Sequence, residues 1–321
     1  MGSRAMLVLG EVHTGLLRGP GPVPPEETLR LLDLVVGEQV LFSERPIAYA
    51  RSTELLVGVD CALGSAASAR QVRGVGTARQ RAAITGGHVV QGSAYTSVQR
   101  AERTTRLPWS HYLARPGIVE TLGRTRWEEV ADAFRAEPDA TTLDLGAIAG
   151  QITDRVQRAA TGTGRTRLRS ARTRLRWVAD PDGDTMRVRF STQTGDQRIL
   201  HLHGIGLPPA ETAALCEDVA LHDWLLTSLI ELVRKSAIGV LDRGEALRRL
   251  VPAIDYLLHL WMPGARGGEI SELVWAALER RPGFSRQWDT LVSRIRDQLS
   301  VRAVTALTEP ERDGVAAAGV R

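Results

Sequence analysis

Near residue 210 the chain changes from one kind of patterning to another, and that change limits the folds open to it. Upstream, short runs rich in β-formers are separated by Gly, Pro, Asp and Ser; downstream, apolar residues recur every third or fourth position over long stretches. Strands are predicted at residues 6–11, 40–50, 55–61, 78–85 and 88–98, the last two flanking Gly86-Gly87, a good hairpin signal. Residues 26–36, with Leu29, Leu32 and Val36 at helical spacing, predict one short helix. Long helices do not alternate with these strands, so the first part reads as strand-rich α+β and not as a doubly wound sheet.

Residues 106–123 (RLPWSHYLARPGIVETLG) make a Pro-bounded aromatic segment, expected to be a connector packed on this first unit. Trp109, His111, Tyr112 and Arg115 are its candidate partner-binding residues. Helices are predicted at 127–135 and 143–158, and Thr161-Gly-Thr-Gly164 reads as a flexible joint. Beyond it, strand, turn and strand follow at 172–179, 180–184 and 185–191, with Asp182-Gly183 supplying turn chemistry. Gly195-Asp196 then turns into 197–204, completing a predicted three-stranded meander. Residues 165–178 also fit a helix, since Leu168, Ala171, Leu175 and Val178 recur at helical spacing. Helices are predicted at 211–235, 243–261 (kinked or restarted at Pro252), 269–279 and 286–299. The expected organisation is a strand-rich α+β domain with its aromatic connector (1–135), a helix and flexible linker (136–164), a basic β-meander packed on a helical layer (165–307) and a disordered tail (308–321).

Charge is unevenly spread. The formal net charge is +4, yet residues 155–179 hold eight arginines and no acid, so the remaining residues sum to −4. Arginine supplies 40 of the 41 basic residues, Lys235 being the only lysine, so arginine is the default cation of this chain. An even spread would put about three in such a window, which leaves an excess of about five. Strand alternation puts Leu175, Trp177, Met186, Val188, Phe190, Leu200 and Leu202 on one face of the meander. Arg174, Arg176, Arg187 and Arg189 go to the other, with His201 and His203. Arg172, Arg174, Arg176, Arg187 and Arg189 are therefore the anion-binding candidates, for nucleic acid, a phosphate or an acidic protein. The competing reading is that they solubilise an exposed sheet face or pair with the net-negative remainder of the protein.

Catalytic signals are sparse. Cys61 and Cys216 have no metal or redox spacing, which suits a reduced, cytoplasmic protein. Cys61 with His88 is the one nucleophile–base candidate, while Cys216 lies in a helix among Ala and Leu and reads as a buried hydrophobe. His222 falls in an apolar stripe one turn after Asp218, as a general base or as a core histidine satisfied by that carboxylate. His201 and His203 share a strand face but lack a local third ligand, so no metal site is expected. Arg73-Gly-Val-Gly76 lacks the full dinucleotide fingerprint, and no phosphate-binding loop ending in Gly-Lys is present. No cofactor is expected, an enzymatic role is not favoured, and no stretch is long and apolar enough to span a bilayer.

Several strings are specific. They include SERPIA (43–48), GVDC (58–61), TGGHVVQGS (85–93), LPWSHYLARPGIVETLG (107–123) and RSARTRLRW (169–177). CEDVALHDWLLTSL (216–229), LLHLWMPGA (257–265) and LERRPGFSRQW (278–288) follow. On these the chain resembles an actinobacterial, streptomycete-type family of unknown function. That family belongs to a gene set with a variant P-loop protein and a methyltransferase-like protein. The resemblance carries over no catalytic residue; it implies a P-loop NTPase-like protein partner. The expectation is a non-catalytic, protein-binding component of a multi-protein cytoplasmic system. The alternatives are a nucleic-acid- or phosphate-binding protein using the arginine face, or a Cys- or metal-dependent enzyme.

Overall fold

A computed structural model describes residues 6–19, 21–64, 72–160, 168–183, 185–193, 195–236 and 243–308. In chain order these form β1 (Met6–Leu16), α1 (Pro25–Leu32), β2 (Leu41–Ser43), β3 (Tyr49–Arg51), β4 (Leu55–Leu63), β5 (Val72–Thr85) and β6 (Val89–Arg100). α2 (Trp109–Leu113), β7 (Ile118–Leu122), α3 (Trp127–Arg135) and α4 (Leu145–Ala159) follow, then β8 (Thr173–Asp180), β9 (Arg187–Thr192) and β10 (Gln197–His203). α5 (Pro209–Ser236), α6 (Arg243–Tyr256), α7 (Glu269–Arg280) and α8 (Phe284–Thr308) complete the chain. The class is α+β, with a strand-rich first half and a helical second half.

The ten strands of the described residues join one mixed sheet, nine of them in the order β2-β3-β5-β7-β6-β1-β8-β10-β9, with β4 off this path and paired to β5. β5 is long enough to take two neighbours on each edge: β4 and then β3 along one, β7 and then β6 along the other. The β5–β6 turn is built as Gly86-Gly87 suggests, with both residues at positive φ (60° and 65°), a region a side chain disfavours. β1 pairs antiparallel with β6 on one edge and with β8 on the other, from Val8↔Ala179 to Thr14↔Thr173. One sheet therefore runs through both units expected from the sequence.

Helices cover both faces. On one, Val8, Val12, Leu175, Trp177, Leu200 and Leu202 pack with α5, whose residues between Thr212 and Val233 are buried almost all round because α6 and α8 lie against it from outside. On the other, Leu7, Leu9, Ala94, Val98 and Val178 pack with α3 and α4. The α4 helix, expected in a linker, is a layer of the fold. Leu145, Ala149, Ile152 and Val156 form its buried stripe, and Asp144 caps it by accepting from Ala147 N–H at 2.8 Å. Gly146 lets it approach β1, since a Cβ there would sit 2.6 Å from Glu11 Oε1.

The strand reading of the arginine-rich segment holds for residues 173–180. The order of the last three strands differs from a meander: β10 lies between β8 and β9, parallel to β8 and antiparallel to β9. Residue chemistry explains this. Ile199, Leu200 and Leu202 make β10 apolar on both faces, which suits an interior place, whereas β9 exposes Arg187, Arg189 and Ser191, which suits an edge. Pro252 is accommodated inside α6, and a short 3-10 turn at Leu258–Leu260 follows the helix. The Thr161–Gly164 joint and the tail beyond Thr308 lie outside the described residues.

Candidate functional site

Arg174, Arg176, Arg187 and Arg189 share one sheet face with His201 and His203, as alternation predicts, and Arg172 just precedes β8, but the five do not form an exposed cationic surface. Arg176 is 2% exposed; its Nε donates to Glu11 Oε2 at 2.8 Å and its Nη1 to the Phe134 and Ala136 carbonyls. Glu11 is fully buried beside it. Burial pushes its carboxyl up, but His13, 3.5 Å away, and the Arg176 charge and hydrogen bond outweigh that and hold it below the usual range. Arg174 pairs with Glu137 and Asp196, and Arg172 pairs with Asp154 of α4 at 2.7 Å. Arg187 and Arg189 alone stand exposed, on the edge strand β9. Helices α3 and α4, with the segment between them, cover the rest of the face; Asp154 and Glu137 come from this cover, Glu11 from β1 and Asp196 from the turn before β10.

The aromatic segment splits in a similar way. Tyr112 is buried, its hydroxyl accepting from Leu107 N–H at 3.1 Å, and Arg115 and His111 both bind the Glu120 carboxylate. Trp109 and Leu113, one turn apart on α2, stay outside at 37% and 57% exposure. The Trp109 ring lies over Gly58 of β4, where a Cβ would come within 3.2 Å of it, and Leu56 on the same strand face is 44% exposed. Arg106 sits 5.2 Å above the Trp109 ring and shares the Asp60 carboxylate with Arg73, so two cations rim this patch for one anion. Between Leu55 and Cys61, β4 pairs only with β5 among the described residues, leaving its outer edge open beside the patch.

The catalytic candidates are engaged or apart. Cys61 pairs with Gly74 at one end of β5 whereas His88 lies past Thr85, roughly 35 Å along the strand at ~3.3 Å per residue. Burial and the Asp60 charge push the Cys61 thiol up to about 12, away from thiolate chemistry. Burial likewise raises Cys216 and lowers His88, to about 4. His222 Nδ1–H donates to the Asp218 carbonyl at 2.8 Å and Nε2 accepts from Met262 N–H at 3.2 Å, so neither nitrogen is spare. Burial holds it neutral between Trp261 and Trp275. His203 lies 3.2 Å from Asp180, and among the described residues no group of three His, Cys, Asp or Glu could hold a metal.

A cleft of about 690 Å³ opens elsewhere, walled by the β2–β3 hairpin, the first half of α5 and the entry to α7. Arg81 and Glu217 form a buried bidentate pair behind it (2.7 and 3.1 Å), and Gln91 Nε2 donates to the Glu217 carbonyl at 2.9 Å. Burial and the Glu217 charge push the Tyr49 hydroxyl up to about 12, so it remains protonated. Arg266 stacks 4.0 Å from the Tyr49 ring centroid, with Nη2 3.7 Å from Asp218 Oδ1. Asp218 Oδ2 accepts from Gly264 N–H at 3.0 Å and Trp275 Nε1 at 2.9 Å. Of these cleft residues only Asp218 stood out in the sequence, as the carboxylate one turn before His222; the only other local signal is Arg266-Gly-Gly-Glu269, a small-residue run opening a helix.

No protein-family profile, curated protein or solved structure matches the chain.

Proposed function

We propose that this protein is a non-catalytic, protein-binding component of a multi-protein cytoplasmic system, docking through α2 and the open edge of β4. The observation that carries this reading is the exposed Leu56–Trp109–Leu113 patch lying beside a strand edge with free backbone groups. A partner segment in extended conformation would add a strand to β4, bury the Trp109 ring and set an acidic side chain against Arg73 and Arg106. The engagement of Cys61, Cys216 and His222 in packing and local hydrogen bonds supports a binding role over a chemical one. The partner is the P-loop NTPase-like protein that the sequence resemblance implies. No helix among the described residues is long and apolar enough to cross a membrane.

Isothermal titration of the purified chain with that P-loop protein tests the reading. A micromolar complex little altered by moderate salt is expected, and Trp109→Ala or Leu113→Ala should weaken it about tenfold or more. Absence of a complex, or equal affinity of both variants, would overturn the reading.

A further inference from the structure

The 690 Å³ cleft has a composition unlike the docking patch, and it is large enough to enclose a small metabolite. Three guanidinium groups line it: Arg45 and Arg51 from the β2–β3 hairpin, and Arg266. Neither Arg45 nor Arg51 makes an ion pair among the described residues, so their charge is not spent inside the protein as that of Arg172, Arg174 and Arg176 is. The N-terminus of α7 opens into the same space through Gly267, Gly268 and Glu269. Gly268 offers no side-chain cap, and the first backbone bond of the helix runs from Glu272 N–H to Gly268; Gly267 N–H is taken by the Gly264 carbonyl, so the N–H groups of Glu269, Ile270 and Ser271 remain to bind an anion.

The same walls carry acceptors. Asp218 has a side chain only 9% exposed, and its Oδ1 has no hydrogen-bond partner: His222 Nδ1, whose proton goes to the Asp218 carbonyl, is 3.5 Å away and Arg266 Nη2 3.7 Å. An ionised carboxylate only accepts, so a buried unsatisfied oxygen there calls for a donor. Glu211 and Glu269 add two more carboxylates at the rim. Leu41, Pro46, Leu207, Leu215 and Ile270 give the cleft apolar sides. A bare inorganic anion would meet the guanidinium groups but leave Asp218 Oδ1 without a donor. A neutral polyol would do the reverse.

We propose that this cleft binds a small hydroxylated phosphate monoester, of the sugar-phosphate class. Its phosphate lies against Arg45, Arg51 and Arg266 at the α7 N-terminus, where guanidinium forks and backbone N–H groups match phosphate oxygens. Binding swings Arg266 from Asp218 toward the phosphate, and a ligand hydroxyl takes its place as donor to Oδ1.

Titration calorimetry on the full chain with ribose 5-phosphate, ribose and inorganic phosphate tests this. Ribose 5-phosphate should bind at least about tenfold more tightly than either fragment. Arg51→Gln and Arg266→Gln should each weaken it about tenfold, since each removes a charge-assisted contact. Asp218→Asn is isosteric and should weaken ribose 5-phosphate without weakening inorganic phosphate, a pattern a misfolded variant would not show. Ile270→Trp, which fills the cleft from a half-buried position, should abolish binding of all three without lowering the unfolding temperature. Trp109→Ala should leave all three unchanged. No heat with ribose 5-phosphate, or equal affinity for it and inorganic phosphate, would overturn the assignment, as would full binding by Ile270→Trp.

Discussion

Two sets of arginines behave oppositely in this molecule. Arg172, Arg174 and Arg176 lie on alternate positions of one stretch of chain, and folding meets each with an acid, from Asp154, from Glu137 and Asp196, and from Glu11. Arg45 and Arg51 are separated from Arg266 by more than half of the chain, yet all three border one cleft. Crowding along a sequence raises the local field only if the fold brings no counter-charge across from it. The acids that neutralise this stretch come from β1, α4 and loop segments, all outside residues 155–179. A window count of charge has no access to them.

The contrast is testable, and the largest effect belongs to Arg176. Arg176→Ala leaves the Glu11 carboxylate buried without its cation and should cost about 3–5 kcal/mol in denaturant unfolding. A loss below about 1 kcal/mol would mean that the pair is not closed in solution.

A second buried pair should respond to pH. Burial pushes the Asp223 carboxyl up to about 6 despite Arg198 at 3.2 Å. A folded-state pKa above the unfolded one means that protonation favours the fold. The associated stability is complete below the unfolded pKa of about 3.9 and is lost as pH rises through about 6. The stability difference between wild type and Asp223→Asn should therefore shift toward the wild type by about 2 kcal/mol between pH 7 and pH 4. Glu11, held below its usual range, works in the other direction: its contribution is present above about pH 4.5 and fades as pH falls through the folded value. A flat difference curve for Asp223→Asn would remove this distinction between the two pairs.

The smallest effect is expected at the solvent-facing end of the strip. Arg172→Ala breaks a pair whose side chains are 32% and 56% exposed and should change stability by no more than about 1 kcal/mol. If it cost as much as Arg176→Ala, burial would not be what separates the arginines.

Local patterns were legible in the sequence to the extent that local physics made them. The Gly86-Gly87 turn, α3 over its whole length, the apolar stripe of α5 and the inward face of Leu175, Trp177, Leu200 and Leu202 follow from turn chemistry and periodicity. The place of β10 between β8 and β9 does not, because turn residues report which strands are consecutive and not which are neighbours. The packing of α4 on the sheet was masked by the flexible-looking segment after it. The cleft was illegible for a stronger reason. Arg45, Arg51 and Arg266 are unremarkable one at a time and Asp218 reads only as a partner of His222; only the approach of the β2–β3 hairpin to α5 and α7 gives them a common space.

The position of β1 also sets a timetable for synthesis. Its first partner, β6, is complete at Arg100, but its second, β8, begins at Thr173. At about 5–20 residues per second, a ribosome takes roughly 4–15 s to make the chain between them. Throughout that interval the strand destined for the middle of the sheet carries unpaired backbone groups along one side, a template for any passing strand. Nascent chains stalled before Thr173 should be the ones that chaperones hold and that aggregate when chaperones are withdrawn.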